Sequence, residues 1–163
     1  MKKALALIAC FVLALSLIGC GGGGKTTPPS SPSPGEENKT DKEEAPELTP
    51  EEQVKAYRAI PEVKAFFNDL PPILTEIMEA SFAGDSTTAT LKALDVNDIC
   101  RSFINVKDVP EAVKAAHRKY IDAAFLLWQA AIDIAKEKYA EASENLDKAT
   151  EIIGEGHELL PAN

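Results

Sequence analysis

The chain has 163 residues and a formal net charge of −9, with 26 acidic side chains against 17 Lys and Arg. Without a basic stripe it lacks the phosphate-neutralising groups that drive nucleic-acid binding, and the same deficit argues against a purely electrostatic hold on anionic lipid. Composition changes sharply near residue 50, and only residues 51–163 mix apolar and charged side chains as a core requires, which gives one domain of ordinary size.

Lys2 and Lys3 precede an uncharged apolar stretch from Ala4 to Gly19, the arrangement of a secretory signal peptide. As a helix this stretch would extend about 24 Å, short of the roughly 30 Å hydrocarbon core, so a removable leader is expected and not a permanent span. At its end, Leu17-Ile18-Gly19-Cys20 resembles the lipobox of bacterial lipoproteins. That resemblance implies cleavage between Gly19 and Cys20, a diacylglycerol on the Cys20 thiol, and a protein held to the bacterial cell membrane on its extracytoplasmic side. Two or more acyl chains anchor firmly where one binds marginally. Cys10 would leave with the leader, and losing Lys2 and Lys3 would move the formal charge from −9 to −11.

Residues 20–49 run from Gly21–Gly24 through a Pro- and Ser-rich stretch into Glu, Lys and Asp. Such a segment cannot bury a core and is expected to be a disordered tether. Its reach is about 30 Å as a flexible coil and about 90 Å if fully extended.

From Thr49 the pattern becomes helical. Thr49-Pro50-Glu51-Glu52 places an N-cap threonine, a proline at the first helical position and a glutamate at the third, a capping box. Ile60-Pro61 is expected to interrupt, and Val63, Phe66, Phe67 and Leu70 resume at helical spacing until Pro71-Pro72, read as the next break. Ile73, Leu74, Ile77, Met78 and Phe82 form a further stripe that Gly84-Asp85 ends. One shorter helix or two follow over 87–104, with Leu91, Leu94, Ile99, Phe103 and Ile104 expected to face inward.

Between Pro110 and Gly154 there is neither proline nor glycine, and Val113, Ala116, Tyr120, Ala123, Leu127, Ala131 and Ile134 step by three or four. The series resumes as Tyr139, Ala142, Leu146, Ala149 and Ile153. These residues fit one helix about 65 Å long or a hairpin bent near Lys136–Lys138; with no turn residue there, the single helix is the expectation, stopped by Gly154 and Gly156. The Tyr139-Ala140-Glu141-Ala142 run with Leu146 and Ala149 is similar to the second half of a tetratricopeptide repeat, but no copy stands about 34 residues away. No segment alternates with period two, so the fold expected for residues 50–163 is all-α: an antiparallel helical bundle built along one long C-terminal helix.

Chemical motifs are sparse. Neither HExxH, a Gly-rich phosphate loop, Gly-x-Ser-x-Gly nor Cys-x-x-Cys-His occurs, so no metal or cofactor is expected. Cys100 reads as a buried thiol on an apolar helical face, His117 stands beside Arg118 and Lys119 without a carboxylate partner at helical spacing, and His157 lies between Glu155 and Glu158. Trp128 reads as core, and Glu137, Glu141 and Glu144 as a solvated face. Two function classes follow. One is a non-catalytic lipoprotein whose helical domain presents a surface to a protein partner, to another copy of itself or to a ligand. The other is an envelope enzyme with a site assembled from His117, Cys100 and nearby acids, which requires those groups to share a concave pocket.

Overall fold

The computed structural model describes residues 48–161. The expected leader over 1–19, the Gly19–Cys20 cleavage point and the tether as far as residue 47 lie outside the described residues.

The chain enters the domain through the capping box read from the sequence. Thr49 Oγ1 accepts from the Glu52 backbone N–H at 3.3 Å, and Glu52 Oε2 accepts from the Thr49 N–H at 2.9 Å, starting α1 (Pro50–Ala59). Ile60 is extended (φ −60°, ψ 127°), as a residue before proline must be, and Pro61 opens the short α2 (Pro61–Lys64).

Pro71-Pro72 does not break the chain as expected. A π-helical turn over Ala65–Asp69, in which the Leu70 N–H donates to Ala65 O, carries α2 directly into α3 (Leu70–Phe82). The prolines occupy the first turn of α3, where backbone N–H groups need no helical acceptor, and the wide turn before them absorbs the missing donors. The same turn delivers Phe66 to the core, stacked on Phe103 at 4.1 Å between centroids.

Gly84 (φ 74°) closes α3, and Asp85 caps the next helix by accepting from the Thr88 N–H at 3.0 Å. One helix, α4 (Ser86–Ile104), occupies the region read as one or two. Its inward face differs from the expectation. Leu91 and Leu94 are 58% and 54% exposed, and Ala89, Ala93, Val96, Cys100 and Phe103 are buried. Phe103 is buried and Ile99 and Ile104 pack against the core as expected, so the difference lies at Leu91 and Leu94, in whose place the smaller Ala89, Ala93 and Val96 let α4 lie close to its neighbours.

A turn over Glu111–Val113 leads into α5 (Lys114–Ala135), and α6 (Tyr139–Glu158) follows after three residues. The single long C-terminal helix is therefore corrected to an antiparallel hairpin. Glu137 adopts a left-handed φ of 61°, Lys138 N–H donates to Asp133 O at 2.8 Å and Glu137 N–H to Ile134 O at 2.9 Å. Those two bonds are a Schellman closure, which satisfies the last carbonyls of α5 without glycine. Gly154 and Gly156 do not stop α6, which runs through both.

Among the described residues there is no strand, and the fold is all-α. The α3–α4 hairpin packs on α5, and α6 packs along the other side of α5. One core runs through all the helices, from Val54 and Tyr57 on α1 to Ile153 on α6, with Leu70, Leu74, Ile77, Phe103, Tyr120 and Leu127 at its centre. Full burial of each such side chain contributes about 1.5–3 kcal/mol.

Candidate functional site

Both histidines, with Tyr57 and Tyr120, converge at one end of the bundle. Tyr57, from α1, brings its hydroxyl within 2.9 Å of His117 Nδ1, near the start of α5. Phe103 lies 4.9 Å from the His117 ring, between centroids. One turn further along α5, Tyr120 lies 5.1 Å from Phe67 and 5.5 Å from His157 of α6. Tyr120 needs the space that Gly156 leaves, since a Cβ there would stand 2.4 Å from its Cε1.

Burial sets the chemistry of this cluster. His117 is 5% exposed and Tyr120 1%, and neither His117 Nε2 nor the Tyr120 hydroxyl has a hydrogen-bond partner among the described residues. Burial holds the His117 imidazole below its ordinary value and pushes both tyrosine hydroxyls upward; His157 is lowered by burial first and by Arg58 second. At neutral pH His117 is therefore an uncharged imidazole that ties α1 to α5. Nothing about it resembles a general base, which needs reach to a substrate proton.

Cys100 is 1% exposed, and burial alone pushes its thiol up to about 12. A thiol that stays protonated and enclosed is a poor nucleophile. His117 and Cys100 thus sit in the core, as the sequence reading of the cysteine had it.

An open cleft of about 540 Å³ lies nearby, at the C-terminal end of α4. Ile60 and Val106 form its apolar part; Glu62, Arg101, Ser102, Asn105, Lys107 and Asp108 supply mixed charge and hydrogen-bonding groups. Asn105 helps shape it by donating from Nδ2 to Arg101 O at 2.8 Å. Neither His117 nor Cys100 lines this cleft. No group of three or more His, Cys, Asp or Glu side chains among the described residues is placed to hold a metal ion.

Two further polar arrangements were not legible in the sequence. Asp133, 5% exposed, accepts from Gln129 Nε2 at 3.0 Å and Asn145 Nδ2 at 3.1 Å, which pins α6 to α5. Ser81 donates its hydroxyl proton to Ile134 O at 3.0 Å and lies 2.9 Å from the Tyr139 hydroxyl, joining α3 to the α5–α6 turn. An aspartate set among apolar residues, in Ile132-Asp133-Ile134, was the available signal for the first. Trp128 is half-buried against the core; Glu137, Glu141 and Glu144 are all exposed as expected, but Glu137 forms the turn between α5 and α6 and is not on a helix face.

Comparison with known protein families, with curated proteins and with solved structures found no match to this chain.

Proposed function

We propose that this chain is a lipid-anchored lipoprotein of the bacterial cell envelope, and that its acidic helical domain is a non-catalytic binding or interaction module. The observation that carries the reading is Leu17-Ile18-Gly19-Cys20 at the end of an uncharged apolar leader. In this reading Cys20 is acylated, the leader is removed after Gly19, and residues 20–49 tether the domain to the extracytoplasmic face of the membrane.

Three features support it. No helix of the described residues is long and apolar enough to cross a membrane, so attachment through this domain would need an anchor elsewhere. Chain entry lies at the surface, with Leu48, Thr49 and Pro50 all exposed. Cys100 and His117, the groups an enzyme would have used, are buried and absent from the cleft, whose mixed charge suits binding better than covalent chemistry.

Mass spectrometry of the chain from a bacterial membrane fraction tests the anchor. An acylated Cys20 as first residue is expected, and Cys20→Ala should release the protein from membranes. A Cys20→Ala chain that still fractionates with membranes, cut after Gly19, would refute the anchor. Crosslinking in intact cells tests the module: a partner captured by wild type and lost in an Arg101→Glu variant supports binding at the cleft.

A further inference from the structure

Little holds α1 to the bundle. Of its 10 residues only Val54 and Tyr57 are buried, and its backbone packs on the Glu111–Val113 turn and on α2 alone. Among the described residues, two polar contacts tie it to the rest of the chain. Ala112 N–H donates to Gln53 Oε1 at 3.0 Å, and the Tyr57 hydroxyl lies 2.9 Å from His117 Nδ1, with the two rings edge to face. Ile60 is extended before Pro61, so α1 is not continuous with α2 and that joint is a hinge. A segment with so few buried apolar contacts opens by itself, ahead of the core.

The Tyr57 contact suits one charge state of His117. A neutral imidazole carries one proton on two nitrogens, and a tyrosine hydroxyl satisfies Nδ1 in either tautomer. An imidazolium must donate from both nitrogens, and His117 Nε2 is buried with no partner among the described residues. No acid offsets the added charge. His117 meets Tyr57 of α1 and Phe103 of α4, and burial alone acts on its proton. Farther along, Tyr120 meets His157 of α6, and the charge that reaches those two is Arg58 of α1, another cation. On α5 itself Arg118 is exposed, and Lys119 is paired with Glu155 at 2.6 Å. A proton on His117 is thus uncompensated while α1 is closed and solvated once α1 leaves.

We propose that α1 is an acid-opened arm: protonation of His117 undoes the Tyr57 latch, and α1 swings away from α5 about Ile60-Pro61. The open state takes up a proton that the closed state refuses, so the latch holds fully above the ordinary histidine value of 6.5. Each pH unit below it multiplies the open population by up to about ten, a ceiling of about thirtyfold at pH 5.0. On the lipid-anchored reading, opening exchanges a helix about 15 Å long for an extended run of about 36 Å, and the domain stands farther from the membrane. The switch itself needs no anchor.

Deuterium uptake by the full chain in detergent, corrected for the intrinsic pH dependence of exchange, tests the arm. From pH 7.0 to 5.0 the amides of residues 54–59 should exchange about tenfold faster, while those of α3 change less. His117→Asn places an acceptor near the position of Nδ1 and does not titrate in this range, so it should abolish the acid response; His157→Gln should leave it. Should His117→Asn fail to fold, Tyr57→Phe decides, because it removes the hydroxyl and keeps the ring packing. In that variant α1 should exchange about fivefold faster already at pH 7.0. The proposal is overturned if acid leaves α1 exchange unchanged, or if α3 accelerates as much as α1. It is equally overturned if the response survives His117→Asn, if His157→Gln abolishes it, or if Tyr57→Phe leaves α1 exchange at pH 7.0 as it was.

Discussion

Two helical hairpins close with the same hydrogen bonds and different residues. At the α3–α4 turn, Asp85 N–H donates to Ala80 O and Gly84 N–H to Ser81 O; at the α5–α6 turn, Lys138 N–H donates to Asp133 O and Glu137 N–H to Ile134 O. The left-handed residue is Gly84 (φ 74°) in the first and Glu137 (φ 61°) in the second. A left-handed backbone costs a residue with a Cβ roughly 1 kcal/mol or more, and glycine nothing. The second turn therefore forms because the helices it joins hold it. Asp133, Gln129 and Asn145 bind the arms together, and Ser81 fixes Ile134 O at the turn itself.

If interhelical packing carries the second hairpin, disturbing that packing should have the largest effect. Gly156→Ala places a Cβ 2.4 Å from Tyr120 Cε1 and 2.9 Å from its Cδ1, and Tyr120 is enclosed on all sides. A loss of about 2–3 kcal/mol in urea unfolding is expected. Gly154→Ala, two residues earlier in the same helix with nothing within 4 Å, should instead stabilise by up to about 1 kcal/mol through helix propensity. Equal effects from the two substitutions would show that space at the α5–α6 contact does not matter.

Acid should separate the hairpins next, because both histidines of the chain belong to the second. His117 and His157 are each held below the ordinary histidine value of 6.5. Below that value the unfolded chain takes up protons that the folded chain refuses, so stability is full above about pH 6.5 and falls as the pH drops through the window beneath it. Amide exchange across pH 7.5 to 5.5 should show α5 and α6 losing protection before α3 and α4 do. Imidazole signals that titrate at the ordinary value in the folded protein would remove the basis for this.

What the sequence revealed follows the same division. The capping box at Thr49, the stop at Gly84-Asp85 and the all-α class were legible because each rests on local chemistry that a short stretch declares. Three features were not. The π-helical turn hides Pro71-Pro72 inside a continuous helical run. Ala89, Ala93 and Val96 outrank Leu91 and Leu94 for the core of α4, since closeness of approach, and not side-chain size, selected the inward face. The Glu137 turn lacks any turn residue, and its cause lies in groups distant in sequence, such as Ser81 and Asn145. Of the candidate residues, the burial of Cys100 could be read from its apolar face, but the Tyr57–His117 pair joins positions sixty residues apart and could not.

The smallest effects test the turns directly. Gly84→Ala meets no atom within 4 Å, so its cost is backbone strain alone, about 1 kcal/mol. Glu137→Gly should move the other way, and its sign is the sharper test. Relief of the left-handed strain is worth about 1 kcal/mol, and the greater freedom of glycine in the unfolded chain returns about half of it. Dipole effects offset, because the Glu137 carboxylate lies between the negative end of α5 and the positive end of α6. A net gain of about 0.5 kcal/mol is therefore expected, and Glu137→Asn, which tolerates the left-handed region without the full entropy loss, should gain at least as much. Urea midpoints that fall in both variants would mean that the Glu137 side chain holds the turn, and that the two hairpins close by different physics after all.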